Sequence, residues 1–389
     1  IYFPKQIKKE GYLQIEQGTI VDFKTEIGDE EFIDYKDNLI IPGFIDQHIH
    51  GWATGQYSAK NTKENLKNMQ ETLPYAGVTS FLATTGAWDL EDLKTTIRNT
   101  TEHIEANDTN GAEVVGIHLE GPFVNEKRAG MMNVAGFQKP SIDIMKSLLE
   151  SQTKPGYIKL MTMAPELENA QSLITYCREN CVQLNIGHSD ALFEDIKALK
   201  EYGLGGVTHM FSGMRGFHHR ELGVVGAALY FDDLYCEFAK QTGWTVLPEA
   251  FALAYKLKGP DRIIMTTDNT GLAQIDKERY HYIRQETFIP DGDYFIVRHD
   301  DGSEKRYNKS IYDDVKDLEL SYLKSIQNVI KNVNPSVHDI IKMTSENAAK
   351  YLGIDDRKGS IEIGKDADLL VVDEHFNLKA TYCRGKLFV

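Results

Sequence analysis

The middle of the chain alternates short apolar runs with amphipathic segments. The amphipathic segments, such as Lys63–Ala76 and Asp89–Asn107, have the spacing of helices, and the apolar runs are typical of buried strands. Besides the run that ends at His50, the apolar runs are Val78–Ala83, Val114–Leu119, Ile158–Met163, Gln183–Ile186, Gly206–His209, Ala227–Tyr230 and Arg262–Thr266. Eight strands alternating with helices predict an α/β fold of the (β/α)8 TIM-like barrel type.

Both ends of the chain have a different pattern, in which apolar and polar residues alternate in short pieces between glycines. It runs from Gly11 to Phe23 near the start and recurs in Lys358–Asp373 and Ala380–Val389. Period-two alternation with glycine turns predicts hairpin strands. Two β-rich ends around a long middle predict a small β-sandwich domain formed by both termini, residues 1–40 and 355–389, beside a barrel of residues 41–354.

Residues 280–314 interrupt the α/β pattern with a polar, turn-rich stretch, of which residues 288–303 alternate like a hairpin. Because the stretch follows the last predicted barrel strand, three interpretations remain: a lid, an interface element or a surface insertion without a catalytic part. Helices are predicted after it at Val315–Val333 and His338–Leu352, separated by Pro335.

Composition narrows the class of protein. The 389 residues, of which 41% are hydrophobic, suffice for one large core. The net charge of −15 argues against binding to nucleic acid or to an anionic membrane through bulk electrostatics. The four cysteines are too few and too scattered for a disulfide framework. With no apolar stretch of about 18 residues and no signal-like start, we expect a cytoplasmic protein.

Two histidines, His48 and His50, close the apolar run Leu39–Gly51. Alternate residues of a strand point to the same face, so both imidazoles can be aimed at one metal ion. A His-x-His pair alone is more often a chance or surface pair than a ligand pair. The position at the carboxyl end of a predicted barrel strand favours the ligand interpretation, because barrels hold their catalytic groups there.

Further polar residues follow other strand-like runs, namely Glu120, His188, His209 and Asp268. In a barrel the carboxyl ends of the strands converge on one mouth. Metal-ligand residue types on several strand ends therefore predict a site for one or two divalent ions per chain. Imidazoles and carboxylates suit zinc, iron or similar ions, and the sequence does not choose among them.

Segments spread over almost the whole chain resemble the amidohydrolase superfamily and, within it, the N-acetylglucosamine-6-phosphate deacetylases. These segments are Pro42–Gly51, Gly116–Phe123, Ala164–Glu166, Ile186–Asp190, Thr208–Phe211, His218–Leu229 and Lys358–Leu369. The resemblance implies that Glu120, His188 and His209 hold the main metal ion. It also implies that His48 and His50 hold a second ion, which only some members keep, with Glu120 able to bridge. By the same resemblance Asp268 matches the catalytic acid and base, and His118 lies behind the ligands.

The departures from the family's pattern fall on substrate contacts. Thr245 stands where the deacetylases have a histidine that grips the sugar phosphate, and Met132 replaces another histidine near the substrate. Ser212 and Gly213 replace an Asn-Ala pair at the phosphate. Arg220 matches an arginine that reaches the phosphate, in some members across a dimer interface; the alternative is an ordinary surface ion pair. These five residues are the predicted substrate contacts, and a homodimer is the expected assembly.

The function implied by the resemblance is a metal-dependent hydrolase that deacetylates an N-acetyl amino sugar. The leading candidate reaction converts N-acetylglucosamine 6-phosphate to glucosamine 6-phosphate and acetate. Two alternatives remain: a different N-acyl or amide substrate, and a non-catalytic metal-binding paralogue. Asp268 favours the enzyme, because a protein that only binds has no need for an acid and base at that position. The expected partner is a small-molecule amide, with neither nucleic acid nor membrane.

Overall fold

The computed structural model describes residues 1–4, 6–7, 11–58, 62–106, 110–239, 245–271, 278–281 and 285–389. Its largest sheet has eight parallel strands, each hydrogen-bonded to the next in chain order. These first to eighth barrel strands are Phe44–Ile49, Val78–Thr85, Glu113–Glu120, Ile158–Met163, Gln183–Ile186, Leu204–Val207, Tyr235–Ala239 and Ile263–Thr266. Most of their residues are buried, which explains why they are continuous apolar runs in the sequence.

Backbone hydrogen bonds bring the eighth strand back to the first. The amide of Asp268 donates to the carbonyl oxygen of His48 at 2.8 Å, and the amide of His50 donates to that of Asn269 at 2.8 Å. The Thr266 hydroxyl also donates to the carbonyl oxygen of His48, at 3.0 Å. The sheet is thus a nearly closed barrel, which confirms the predicted TIM-like fold and gathers the carboxyl ends of the strands at one mouth.

Helices connect the barrel strands and cover the outside of the sheet. They span Thr62–Thr72, Leu90–Glu105, Ile142–Leu149, Ala170–Glu179, Phe193–Gly203, Gly223–Tyr230 and Pro248–Lys258. After the barrel come Tyr312–Val315, Tyr322–Val333 and Val337–Ile341, the last continuing through a π-helical turn, Lys342–Glu346, into Asn347–Leu352. The helix predicted from Val315 begins only at Tyr322, because Ser321 caps it by accepting a hydrogen bond from the amide of Lys324.

The predicted strand at Ala227–Tyr230 is wrong. These residues end the helix Gly223–Tyr230, whose first six residues are buried. A short run that is apolar on every side has no period that separates a buried helix from a buried strand. The seventh barrel strand is Tyr235–Ala239 instead, and the acidic Glu237 at its centre conceals it in the sequence.

Strands from both ends of the chain lie in one antiparallel sheet, as predicted. Its strands are Leu39–Pro42, Leu369–Val372, Leu378–Cys383 and Lys386–Leu387, and separate hairpins pair Tyr12–Glu16 with Thr19–Lys24 and Tyr2–Phe3 with Gln6–Ile7. Leu39–Pro42 crosses the predicted boundary at residue 40 and leads directly into the first barrel strand. The domain boundaries themselves stay a prediction.

The turn-rich stretch after the eighth barrel strand contains a second antiparallel sheet. Its strands are Arg279–His281, Glu286–Asp291, Tyr294–His299 and Glu304–Asn308, which include the predicted hairpin. Phe288, Phe295 and Val297 are buried and belong to the main hydrophobic core. The lid, interface and insertion interpretations of this sheet stay predictions. Among the helices of the described ranges, none is long and apolar enough to cross a membrane.

An ion cluster around the buried Lys358 joins the terminal sheet to the amino end of the third barrel strand. Nζ of Lys358 lies 2.7 Å from Glu113 Oε2, 2.8 Å from Asp366 Oδ2 and 2.5 Å from Asp368 Oδ2. Arg357 contacts Glu113 at 2.7 Å. Burial raises the pKa of Glu113, but the charges of Lys358 and Arg357 outweigh this effect and hold the pKa at about 2. We call these five residues the base cluster, because they lie opposite the mouth.

Candidate metal centre and active site

Six side chains from five barrel strands meet at the mouth, and all six are among the residues singled out from the sequence. They form two groups, each with its ligand atoms within 4.8 Å of one another: His48, His50 and Asp268 in one, and Glu120, His188 and His209 in the other. The residues come from the ends of the first, third, fifth, sixth and eighth strands. We call them the mouth cluster.

The Glu120 carboxylate lies between the two groups. Its Oε1 is 3.2 Å from Nε2 of His188, 3.1 Å from Nε2 of His209 and 3.3 Å from Nε2 of His48. Its Oε2 is 3.2 Å from Nε2 of His50. Ligand atoms around a tetrahedral zinc ion lie about 3.3 Å apart, given zinc–ligand bonds of about 2.0 Å. The spacings therefore fit side chains that share an ion, with Glu120 able to reach both sites.

Each of the four imidazoles places its Nδ1 within hydrogen-bond distance of an oxygen. The acceptors are a carboxylate oxygen of Glu237 for His48 at 2.7 Å, and the carbonyl oxygens of Thr84 for His50 at 3.1 Å, Arg128 for His188 at 2.8 Å and Ser212 for His209 at 3.1 Å. A ring that donates from Nδ1 leaves the lone pair of Nε2 for a metal ion. All four rings are thus held in the tautomer that binds a metal through Nε2.

Three residues of the mouth cluster have a left-handed backbone. The φ angles are 46° at His188, 31° at His209 and 50° at Asp268. Such angles cost a non-glycine residue about 1–3 kcal/mol, so the surrounding structure must hold them in place. Gly213 also has a positive φ, 57°, and a Cβ there would lie 3.2 Å from Cε1 of His209 and 3.3 Å from Cε1 of His188. Gly213 therefore allows two ligand rings to approach the chain closely.

The electrostatics of the mouth favour a cation. Burial lowers the pKa of His48, but the carboxylates of Glu120, Glu237 and Asp268 outweigh it and hold the pKa well above its usual value. For His50, burial is likewise outweighed by Asp268 and Glu120, which raise the pKa to about 9. The buried carboxylates thus attract positive charge, either protons on the imidazoles or a divalent ion.

Sequence reasoning missed Glu237, on the seventh barrel strand. It is 1% exposed and accepts hydrogen bonds from Nδ1 of His48 at 2.7 Å, from Nε2 of Gln47 at 2.8 Å and from the backbone amide of His209 at 3.2 Å. The signal that could have found it is a lone acidic residue inside the apolar run Tyr235–Ala239, since a buried charge needs partners.

Asp46 was missed as well. Its buried carboxylate accepts hydrogen bonds from the Thr266 hydroxyl, from the Thr267 hydroxyl at 2.6 Å and from the Thr267 amide at 3.2 Å. Burial raises the pKa of Asp46 to about 6, against the opposite effect of these hydrogen bonds. Asp46 thereby joins the first strand to the segment that carries Asp268.

His118 lies under the ligands. Its ring packs edge-on against that of His48, with centroids 4.6 Å apart, and its Nε2 lies 2.8 Å from the hydroxyl oxygen of Thr162. Burial lowers the pKa of His118 well below its usual value, so the ring is neutral. The geometry supports a role behind the ligands more than one as a ligand.

The predicted substrate contacts differ in their neighbours within the described residues. Ser212 and Gly213 lie in the loop after the sixth strand, beyond His209, and the Ser212 carbonyl accepts from Nδ1 of His209 at 3.1 Å. Met132 is half-buried and its amide donates to the Ala129 carbonyl at 3.0 Å. The Thr245 hydroxyl donates to the Ala239 carbonyl at 3.0 Å, and residues 242–244 lie outside the described residues. Arg220 is exposed, and its described side-chain partner is the His219 ring at 3.0 Å.

The chain matches the Amidohydrolase family over residues 39–388 and belongs to that family. Together with its deacetylase relatives, this makes the chain a hydrolase that acts on a C–N amide bond. It is 33% identical over 388 residues to the N-acetylglucosamine-6-phosphate deacetylase of Bacillus subtilis (strain 168), covering 98% of this chain and 93% of that protein. It is 31% identical to the enzyme of the same name from Lysinibacillus sphaericus, covering 90% and 86%. The crystal structure of N-acetylglucosamine-6-phosphate deacetylase from Thermotoga maritima superposes with a TM-score of 0.77 at 28% identity, covering 97% and 94%. The resemblance seen in the sequence is confirmed.

Proposed function

We propose that this chain is a metal-dependent deacetylase of an N-acetyl amino sugar phosphate, with N-acetylglucosamine 6-phosphate as the leading substrate. The observation that carries the proposal is the geometry around Glu120, whose carboxylate reaches both ligand groups, with Asp268 Oδ1 3.3 Å from Nε2 of His50. The names of the relatives that are 33% and 31% identical over most of the chain support the substrate class.

The residues at the mouth fit one or two divalent ions. Glu120, His188 and His209 would hold the first ion, and His48 and His50 the second, with Asp268 beside it. Imidazole nitrogens and carboxylate oxygens are ligands that suit zinc or iron. When bound, such an ion supplies Lewis-acid chemistry, because it polarises an amide carbonyl and makes water more acidic.

Asp268 is the proposed general base and acid. Its side chain is 29% exposed at the mouth, so it can meet water and substrate. As the water oxygen bonds to the acetyl carbon, Asp268 takes the proton from that water; as the C–N bond breaks, it gives the proton to the leaving nitrogen. The products are acetate and the free amino sugar. Asp46 supports this role by holding the adjacent Thr267.

We also propose that Ser212, Gly213, Arg220, Thr245 and Met132 line the substrate pocket. The amide of Ser212 already donates to the His209 carbonyl at 2.9 Å, so the amide of Gly213 is the proposed backbone donor to the sugar phosphate. Thr245 and Met132 carry no charge. A lost charge-assisted contact to phosphate costs about 1.5–3 kcal/mol, so this sugar phosphate should be turned over with low efficiency.

A homodimer is the proposed assembly, in which Arg220 of one subunit reaches the substrate of the other. The support is the exposure of Arg220 and its position next to His219, outside the cluster of metal ligands. Light scattering coupled to size-exclusion chromatography tests the assembly. A monomer that is fully active at nanomolar concentration would contradict it.

The test of function is an assay of amine and acetate release by metal-supplemented protein. The panel contains N-acetylglucosamine 6-phosphate, N-acetylgalactosamine 6-phosphate, unphosphorylated N-acetylglucosamine and simple N-acetyl amides. We expect release from the first compound, with a kcat/KM below about 10⁵ M⁻¹s⁻¹. This value lies toward the low end of the range that evolved enzymes ordinarily show. Turnover of simple amides alone would point to a different substrate, and metal-loaded protein that releases nothing would point to the non-catalytic paralogue.

A further inference from the structure

His48 differs from the other three imidazoles of the mouth cluster in what its Nδ1 contacts. The other rings donate to backbone carbonyl oxygens, whereas His48 faces the Glu237 carboxylate at the shortest of the four distances, 2.7 Å. A carboxylate behind a metal-binding histidine fixes the ring's orientation and raises its basicity as a ligand more than a neutral carbonyl does.

Glu237 is held from both sides, so its position is well defined. Oε1 accepts from Nδ1 of His48 and, at 3.2 Å, from the backbone amide of His209, while Oε2 accepts from Nε2 of Gln47 at 2.8 Å. The side chain thereby touches one residue of each ligand group: the ring of His48 in the group with His50, and only the backbone of His209 in the group with Glu120. Its influence on ligand chemistry therefore acts mainly on the group that contains His48.

In the part of the chain that the structure describes, the charge of Glu237 is balanced through the mouth. Within the described residues its ion-pair partner is His48, and its other two partners are neutral amides. A buried carboxylate is costly unless a cation offsets it. With the His48 ring neutral, a divalent ion held by its Nε2 would supply the offsetting charge.

We propose that Glu237 is a positioning residue that acts through His48 to hold the second metal ion, and so decides whether the chain carries two ions or one. This inference rests on the metal site proposed above. Glu237 does not touch substrate or an ion itself; it orients the ring that does.

The test compares metal binding by the wild type, by Glu237→Gln and by a control, Gln47→Met. The first variant removes the charge and keeps the shape, and the Gln47 amide can turn its otherwise unpartnered Oε1 toward the new amide group. The control removes the contact to Oε2 but leaves the carboxylate on His48. Zinc titration calorimetry, elemental analysis and the absorption spectrum during Co²⁺ titration report each ion separately.

We expect the wild type and Gln47→Met to bind two ions. Glu237→Gln should keep the first ion at wild-type affinity and lose 10- to 100-fold in affinity for the second, the usual effect of removing such a partner. Two ions at wild-type affinities in Glu237→Gln, or loss of both, would overturn the inference. A wild type that binds no ion would instead overturn the proposed metal site.

If Glu237→Gln does not fold, as judged by circular dichroism, Glu237→Asp replaces it. The shorter side chain keeps the charge but withdraws the carboxylate from Nδ1 of His48, so the same selective loss of the second ion is expected. Wild-type affinity for both ions in that variant would overturn the inference.

Discussion

The two ends of the barrel each hold a cluster of carboxylates, but the positive charge beside them has different origins. In the base cluster, Lys358 contacts three carboxylates at 2.5–2.8 Å, and it is 2% exposed. In the mouth cluster, Glu120 is surrounded by imidazoles. The chain thus supplies a permanent cation at the base, whereas at the mouth a proton or a divalent ion must balance the charge.

Because of this difference, the base cluster contributes to the stability of the fold, whereas the mouth cluster can take part in reactions. Burial opposes the charge of Lys358, but the carboxylates around it outweigh burial and raise its pKa above the usual value, so the charge is fixed throughout the working range. An imidazole exchanges its proton for a metal ion near neutral pH. The base cluster can therefore only hold the terminal sheet on the barrel, while the mouth cluster can bind, release and react.

The largest expected effect concerns Asp268 at the mouth. Asp268→Asn keeps the shape of the side chain but cannot carry a proton, so kcat should fall by about 10²- to 10⁴-fold with metal content retained. Steady-state assays on the substrate that the panel identifies, with elemental analysis, measure both quantities. Asp143→Asn, an exposed change on a distant helix, is the matched control and should leave both unchanged. Loss of metal, or near-wild-type turnover, would show that Asp268 has another role.

The next largest effect is expected on the free energy of unfolding when the base cluster is changed. Lys358→Met leaves Glu113, Asp366 and Asp368 without their central cation, so the free energy of unfolding should fall by about 3–5 kcal/mol, as when one partner of a buried pair is removed. Denaturant titration measures it. The control is Lys350→Met, which removes a pair with Glu346 at 3.7 Å on an exposed side chain and should cost less than about 1 kcal/mol. Equal losses in the two variants would contradict the comparison, as would a loss of metal from folded Lys358→Met.

A smaller effect is expected at Thr245 and Met132, the two proposed substrate contacts that stand where the relatives' family pattern has histidines. The double variant Thr245→His, Met132→His should raise kcat/KM for N-acetylglucosamine 6-phosphate by about 10- to 100-fold, the value of one restored charge-assisted contact. Unphosphorylated N-acetylglucosamine is the control substrate, on which the variant should gain nothing. An equal gain on both sugars would show that the new side chains do not act on the phosphate.

The smallest expected effect is the change in metal affinity for each pH unit. The pKa of His50 is raised to about 9 in the metal-free protein, so each pH unit below 9 should weaken metal binding about tenfold for this one proton. Protonation of His50 stabilises the metal-free fold fully below its unfolded pKa of about 6.5, and this contribution is lost as pH rises through 9. Zinc should therefore raise the melting temperature more at pH 8 than at pH 6. A zinc-induced shift that does not change with pH would contradict this.

The base cluster should respond at a different pH. The pKa of Glu113 is lowered to about 2, so its contribution to stability is complete above about 4.3 and is lost as pH falls through 2. Between pH 5 and 8 it should be constant, and Glu113→Gln should remove the acid-range component. The assignment would be contradicted if the metal-free wild type lost stability between pH 7 and 5 and Glu113→Gln did not.

Much of the barrel and the mouth could be predicted because both follow from local patterns. Buried parallel strands are apolar along their whole length, and ligand residues such as His48 and Glu120 occur where those runs end. Glu237 was missed because a charged residue interrupts the apolar run of its own strand. The neighbouring helix Gly223–Tyr230 is apolar on all sides, so part of it was predicted as the strand instead. The bond from Asp46 to Thr267 joins residues 221 positions apart, a distance over which no periodic pattern extends.

The left-handed backbone at His188, His209 and Asp268 has a consequence for how this sequence can change over time. Glycine would relieve the strain at each position, so mutations there that abolish hydrolysis should also stabilise the fold. A lineage that no longer needed the reaction would accumulate such exchanges by drift, because most random change is tolerated only while stability remains sufficient. This chain has two histidines and an aspartate at these positions, as expected of a site that is kept for its chemistry at a cost in stability.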